Sequence, residues 1–164
     1  MPILRALSAT MILTAALLLA ACAALPAPAL TPPQQARLAG LLPADALLLG
    51  EQHDAPGHHL LERQVVAWLA ARGQLAALAL EMAEQGHGTA GLPPDASQAQ
   101  VRAALAWNDD AWPWRDYGPA IMAAVRAGVP VLGANLPAAR LREAMRDTAL
   151  DTRLPPPALA VQQP

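Results

Sequence analysis

The chain has 164 residues, with 11 basic and 13 acidic side chains and a formal net charge of −2 at pH 7. A chain of this length holds one small domain. The slightly acidic balance excludes the basic surface on which nucleic-acid binding depends. Cysteine occurs once, at Cys22, so an internal disulfide is excluded as well.

Residues 1–21 have the pattern of a lipoprotein signal peptide and are set apart from the fold. Their apolar run, Met11 to Ala21, is too short to span a bilayer comfortably. It ends in Leu19-Ala20-Ala21-Cys22, which resembles the lipobox in which bacterial lipoproteins carry acyl chains such as palmitate on the cysteine. Residue 23 is Ala rather than Asp, which by the same resemblance predicts the outer membrane. The alternative is an ordinary signal peptide or an anchoring helix with an incidental cysteine.

The rest of the chain divides into three parts. Residues 22–33 are rich in Ala and Pro and read as an extended tether. Residues 34–150 form the predicted domain. Residues 151–164 contain three consecutive prolines and are expected to be disordered.

The first half of the domain predicts helix, strand and helix. A short helix is expected from Gln34 to Leu42, and the apolar run Ala46 to Leu49 suits a buried parallel strand. The next apolar residues recur at helical spacing, and Gly73 is placed to end that helix. These residues are Leu61, Val65, Trp68 and Leu69.

The second half continues the alternation. A strand is expected over Leu75 to Leu80, stopping at Glu81, and a glycine-rich loop follows. Ser97 predicts the N-cap of a helix. The segment from Trp107 to Tyr117 is expected to be irregular. The remaining elements are a helix with Pro119 in its first turn and Gly128 at its end, a strand over Val129 to Leu132, and a helix opened by Pro137.

This order predicts an α/β fold with three parallel strands and flanking helices. Ligands bind beyond the carboxyl ends of such strands. The three strand ends would then bring Glu51 with His53, Glu81 and Asn135 to one edge of the sheet.

The segment richest in candidate ligand side chains is Leu47-Leu48-Leu49-Gly50-Glu51-Gln52-His53-Asp54, followed by His58-His59. Three of the four histidines fall within seven residues. Imidazoles beside carboxylates suit a metal ion or a haem iron. His53 is the first candidate ligand, oriented by Glu51, and one of His58 and His59 is expected to face the cleft. The alternative is a histidine that Asp54 or Glu51 merely fixes in the loop.

Tyr117 is the only tyrosine and lies near three of the four tryptophans. A phenolate can ligate haem iron, and a porphyrin could stack on the indoles. Arg115 is the candidate partner for a haem propionate. The alternatives are a small aromatic core and a salt bridge from Arg115 to Asp116 or Glu81.

Four motifs in order resemble the ChaN-like haem-binding lipoproteins, which are related to Tiki-type metalloproteases and erythromycin esterases. They are Leu49 to Asp54 with His58-His59, Leu80-Glu81-Met82, Trp114-x-x-Tyr117-x-Pro119, and Val129 to Pro137. The resemblance implies a lipid-anchored protein of haem and iron uptake, with haem held between two subunits of a homodimer. Family members extend further, so the chain is expected to be a truncated member.

Two other functions remain open. One is a metal-dependent hydrolase in which His53, Glu51 and Glu81 hold a divalent cation and activate water. The other is a non-functional remnant that does not fold.

Overall fold

The computed structural model describes residues 29–153 and 155–162. The predicted signal peptide and Cys22 lie outside this part. The helices are α1 (Pro32–Ala39), α2 (Pro56–Ala71), α3 (Gln98–Ala104), α4 (Trp114–Arg126), α5 (Ala138–Ala144) and α6 (Pro156–Gln162), and the strands are β1 (Leu78–Glu84) and β2 (Val131–Asn135). A 3₁₀ helix covers Thr148–Arg153. Within the described residues, no helix has both the length and the apolarity needed to cross a bilayer.

The two strands pair in parallel, so the prediction of an α/β fold with a parallel sheet is confirmed. Leu78 lies opposite Val131, and the register becomes irregular between Leu80 and Glu84. At this irregularity the backbones of the two strands lie so close together that a Cβ atom on Gly133 would collide with the carbonyl of Glu84. This close approach of the two strands therefore requires glycine at position 133.

The prediction of a third strand at Ala46 to Leu49 is wrong. The described residues contain one sheet, with two strands, and residues 46–50 are not part of it. Leu48 is 91% exposed and Leu49 42% exposed, whereas Leu47 packs against a small apolar cluster. An apolar run becomes a strand only where a neighbour accepts its backbone hydrogen bonds, and this segment has none in the described sheet.

Several boundaries differ from the sequence predictions. β1 continues through Glu81 to Glu84, so Glu81 lies on the exposed face in mid-strand and not at a strand end. α4 begins at Trp114, whose N–H donates to Asp109 Oδ1 at 2.7 Å, and Pro119 therefore lies inside the helix. α6 forms within the tail for which disorder was predicted.

The helix ends that carry local signals are as predicted. Ser97 Oγ accepts from the N–H of Gln100 at 3.3 Å and caps α3. Gly73 and Gly128 follow α2 and α4 with φ of +64° and +72°, in the left-handed region that glycine favours.

The main core lies among the sheet, α2 and α4. Its largest fully buried side chains are Val101, Leu105, Ile121 and Val131. A smaller cluster joins Leu30 and Leu38 to Val65 and Leu69 on α2. α2 thus touches both clusters, and its first turns lie beside Tyr117 of α4.

Candidate functional site

The carboxylate of Glu51 is the centre of the candidate site. It follows the unpaired segment 46–50, yet its side chain is only 6% exposed. Glu51 Oε1 is 2.5 Å from His53 Nδ1 and accepts a hydrogen bond from the Tyr117 hydroxyl at 3.1 Å. Glu51 Oε2 lies 3.6 Å from His59 Nε2. One carboxylate therefore joins the loop, α2 and α4.

Glu51 is ionised at neutral pH. Burial alone would raise its pKa, but hydrogen bonds with Glu62, His53 and Tyr117, together with the nearby His59, outweigh burial and lower the pKa below its usual value. The opposite holds for Glu62 on α2, because burial and the charge of Glu51 raise the pKa of Glu62 to about 8. At pH 7 the site thus holds one carboxylate and one carboxylic acid.

His53 lies in the turn before α2, and its side chain is 44% exposed. Since the Glu51 carboxylate can only accept, His53 Nδ1 is the donor in their contact. A neutral imidazole with its proton on Nδ1 keeps a lone pair on Nε2. The carboxylate behind the ring fixes this tautomer and makes Nε2 a better metal ligand.

His58 has the opposite tautomer. Its Nδ1 accepts a hydrogen bond from the backbone N–H of Gln52 at 2.9 Å. The proton of the neutral ring is then on Nε2, which has no lone pair to offer a metal. His58 fixes the turn that carries His53 and is not oriented as a ligand itself.

His59 and Glu62 also contribute to the site, and the sequence analysis gave Glu62 no role. His59 is 9% exposed, its ring lies 4.8 Å from the ring of Tyr117, and its Nε2 is buried without a hydrogen-bond partner. The two residues are three apart on α2 and therefore share one helix face. This spacing was the available signal in the sequence.

An aromatic wall surrounds Tyr117, formed by Trp107, Trp112 and Trp114. Ring centroids of Trp107 and Trp112 lie 5.8 Å and 5.9 Å from that of Tyr117, and Trp107 meets Trp114 edge to face at 5.3 Å. Tyr117 is 4% exposed, and burial and the charge of Glu51 raise the pKa of its hydroxyl. These contacts match the alternative of a small aromatic core, with the phenol protonated.

Two other predicted residues lie away from Glu51. Arg115 is 84% exposed, and its Nε lies 3.5 Å from Asp116 Oδ1, which was the alternative foreseen for it. Glu81 is on the exposed face of β1. In the described part of the chain, no three His, Cys, Asp or Glu side chains form a group that could hold a metal ion. The proposed triad of Glu51, His53 and Glu81 is therefore not assembled.

Comparison with protein families gave one match. A family model described as "Haem-binding uptake, Tiki superfamily, ChaN" matches residues 38–161, which is most of the chain and includes every residue of the site. Neither the curated proteins nor the solved structures gave a significant match.

Proposed function

The chain belongs to the ChaN family of haem-binding uptake proteins in the Tiki superfamily, and from this premise we propose that it binds haem with His53 Nε2 as the ligand of the iron. The single observation that carries the assignment is the pairing of His53 with Glu51. A ring that is 44% exposed is held from behind by a carboxylate that is 6% exposed.

The surroundings of His53 suit a porphyrin. The rings of Trp112 and His53 form a T-shaped pair with a centroid distance of 4.8 Å, so an apolar indole lies beside the imidazole. Haem needs one axial nitrogen and an apolar face, whereas a hydrolytic metal needs several protein ligands. The exposed His53 ring and the neighbouring indoles support the first set, whereas no three His, Cys, Asp or Glu side chains of the described residues form a group that could hold a metal ion.

Tyr117 and His58 support this ligand rather than replacing it. The Tyr117 hydroxyl donates to Glu51 and keeps that carboxylate in place. His58 accepts from the backbone of Gln52 and holds the turn. Both were candidate ligands from the sequence, and in this proposal both position His53.

The test is a titration of the full-length chain with haemin, followed at the Soret band. Wild type, His53→Ala, Tyr117→Phe and His87→Ala are compared, the last as a histidine control in the exposed loop after β1. We expect a saturable, shifted band in wild type, the Tyr117 variant and the His87 control, and its loss in His53→Ala. Far-UV circular dichroism on each sample establishes that the protein is folded.

Two results would contradict the proposal. A folded wild type without a shifted band would exclude haem binding by this chain. A band that survives His53→Ala would move the axial ligand to another residue. An unfolded wild type would instead support the interpretation as a non-functional remnant.

We also propose that the protein is anchored through acylated Cys22 in the bacterial outer membrane and serves haem uptake there as a homodimer. Cys22 lies outside the described residues, so the support is the lipobox sequence and the family. Radiolabelled palmitate should be incorporated into wild type and not into Cys22→Ala. Cross-linking with and without haemin tests the dimer.

A further inference from the structure

An open groove lies between α3 and Trp107 of the aromatic wall. Its volume is about 370 Å³, and its lining residues are Ala99, Arg102, Ala103, Ala106 and Trp107. Three of the five are alanines, whose small side chains let a flat ligand lie close to the backbone. Trp107 forms one wall, and Arg102 supplies the only charge among the lining residues. We call this the Arg102 groove.

Arg102 retains free hydrogen-bonding capacity. One of its terminal nitrogens lies 3.1 Å from Asp109 Oδ2, and its side chain is 40% exposed. A guanidinium carries five N–H donors, so this ion pair leaves most of them available. The guanidinium carbon also lies over the Trp114 ring, 5.8 Å from its centroid. The planar fork of arginine fits a carboxylate through two parallel hydrogen bonds.

A strained backbone conformation at Ala106 brings Trp107 next to Arg102. Ala106 has a φ of +47°, a left-handed conformation that costs a non-glycine residue about 1–2 kcal/mol. It turns the chain back at the end of α3, so that the Trp107 N–H bonds to the Arg102 carbonyl at 2.9 Å. The wall and the charge of the groove are therefore fixed relative to each other.

Trp107 belongs both to this groove and to the aromatic wall, whose Trp112 contacts His53. Trp107 Nε1 donates to the Trp112 carbonyl at 2.8 Å, and the Trp112 ring meets that of His53 at 4.8 Å. The carboxylates of haem are on the periphery of the ring, and the iron is at its centre. A partner for them is thus expected beyond the aromatic residue next to the axial ligand, which is where Trp107 and Arg102 follow.

We propose that the Arg102 groove binds the carboxylate edge of the porphyrin, with Arg102 pairing with a propionate and Trp107 covering the ring edge. This inference rests on the proposed haem binding at His53. Arg102 then takes the role that the sequence analysis gave to Arg115, whose 84% exposed side chain does not line this groove.

The test uses a ligand pair on the full-length chain. Haemin and haemin dimethyl ester differ in the esterification of the two propionates, which removes their charges, and their dissociation constants are measured at the Soret band. We expect wild type to bind the ester roughly tenfold more weakly or worse, as is typical for the loss of a charged hydrogen bond. Because this arm uses wild type alone, it does not depend on whether any variant folds.

Variants then test whether Arg102 causes the difference in affinity between haemin and its ester. Arg102→Gln should weaken haemin binding and remove the difference between haemin and ester, and Arg102→Lys should keep part of it. Arg126→Gln, at the exposed end of α4, is the matched control and should behave as wild type. Far-UV circular dichroism accompanies each variant.

The results separate this inference from the proposed function. A Soret band with equal affinity for haemin and its ester overturns the inference and leaves haem binding intact. The same holds if Arg102→Gln keeps the difference or if Arg115→Gln is the variant that removes it. A folded wild type without any band overturns both.

Discussion

The loop of residues 50–54 and helix α4 both supply side chains to the candidate site, but different forces hold them. α4 has seven buried residues, and its Ile121 is fully buried in the main core. In the loop, Glu51 is the buried side chain, while the other four residues are exposed. The wall of the site is thus part of the hydrophobic core, whereas His53 is held by one hydrogen bond to a carboxylate. Substitutions in the two regions should therefore affect different measurements.

The largest effect on stability is expected from Ile121→Ala in α4. Truncating a fully buried isoleucine should lower the free energy of unfolding by about 2–5 kcal/mol, measured by urea denaturation. Haemin affinity of the folded protein should change little, because His53 and Glu51 keep their contacts. Loss of the Soret band without loss of stability would show that the two regions are not separable in this way.

Glu51→Gln should have the opposite effect, with a larger change in haemin affinity than in stability. Without the charged acceptor, His53 loses its fixed tautomer, and haemin affinity should fall roughly 10- to 100-fold, as is typical when a supporting carboxylate is removed. Asp54→Asn changes an exposed carboxylate in the same turn and is the matched control. Equal effects of the two substitutions on the titration would mean that general charge, rather than the Glu51–His53 contact, governs binding.

Tyr117→Phe tests the bond between the two regions. It removes the hydroxyl donor to Glu51 while keeping the ring in the core, and should cost about 1–2 kcal/mol of stability. The position of the Soret band should not move, since the tyrosine is not an iron ligand in our proposal. A shifted band would support the tyrosinate ligand that the sequence also suggested.

Glu62→Gln should change how the stability depends on pH. Because the pKa of Glu62 is raised to about 8 from its ordinary value of 4.5, the folded protein keeps a proton that the unfolded protein releases between these two pH values. Its contribution to stability is complete below pH 4.5 and is lost as the pH rises through about 8. Denaturation midpoints of wild type should therefore decline over this window, and less so in the variant.

Glu51 provides the internal contrast for that experiment. Its pKa is lowered, so its contribution is present above pH 4.5 and is lost as the pH falls through its folded value. The acid side of the stability profile should change less than the alkaline side in Glu62→Gln, because an amide at position 62 can still donate a hydrogen bond to Glu51. A profile altered only on the acid side would contradict the assignment of the proton to Glu62.

Local signals in the sequence predicted local structure well. Ser97, Gly73 and Gly128 end or begin helices as expected, because a cap depends on its own φ, ψ and neighbouring N–H groups. The segment 46–49 resembles β1 in composition, but β1 has β2 as a hydrogen-bonding partner. That partnership is a property of the whole fold and is not visible in the run itself.

In the candidate site too, short-range contacts could be predicted from the sequence and long-range contacts could not. The Glu51–His53 contact joins residues two apart and could be foreseen. The bond from Tyr117 to Glu51 joins residues 66 apart, and no pattern in the sequence indicates it. The raised pKa of Glu62 likewise depends on burial against Glu51, which follows only from how α2 meets the loop.

The parallel pairing of the two strands also has a consequence for how the protein folds. Leu78 pairs with Val131, and the whole chain between them, including α3, the aromatic wall and α4, forms the connection. No hairpin can start this sheet, so the entropy of closing a long loop must be lost before the strands can pair. Contacts of such long range are typical of slow folding. The main core, which includes Val131 of β2, should therefore be completed only when the sheet closes, and not as an independent early unit.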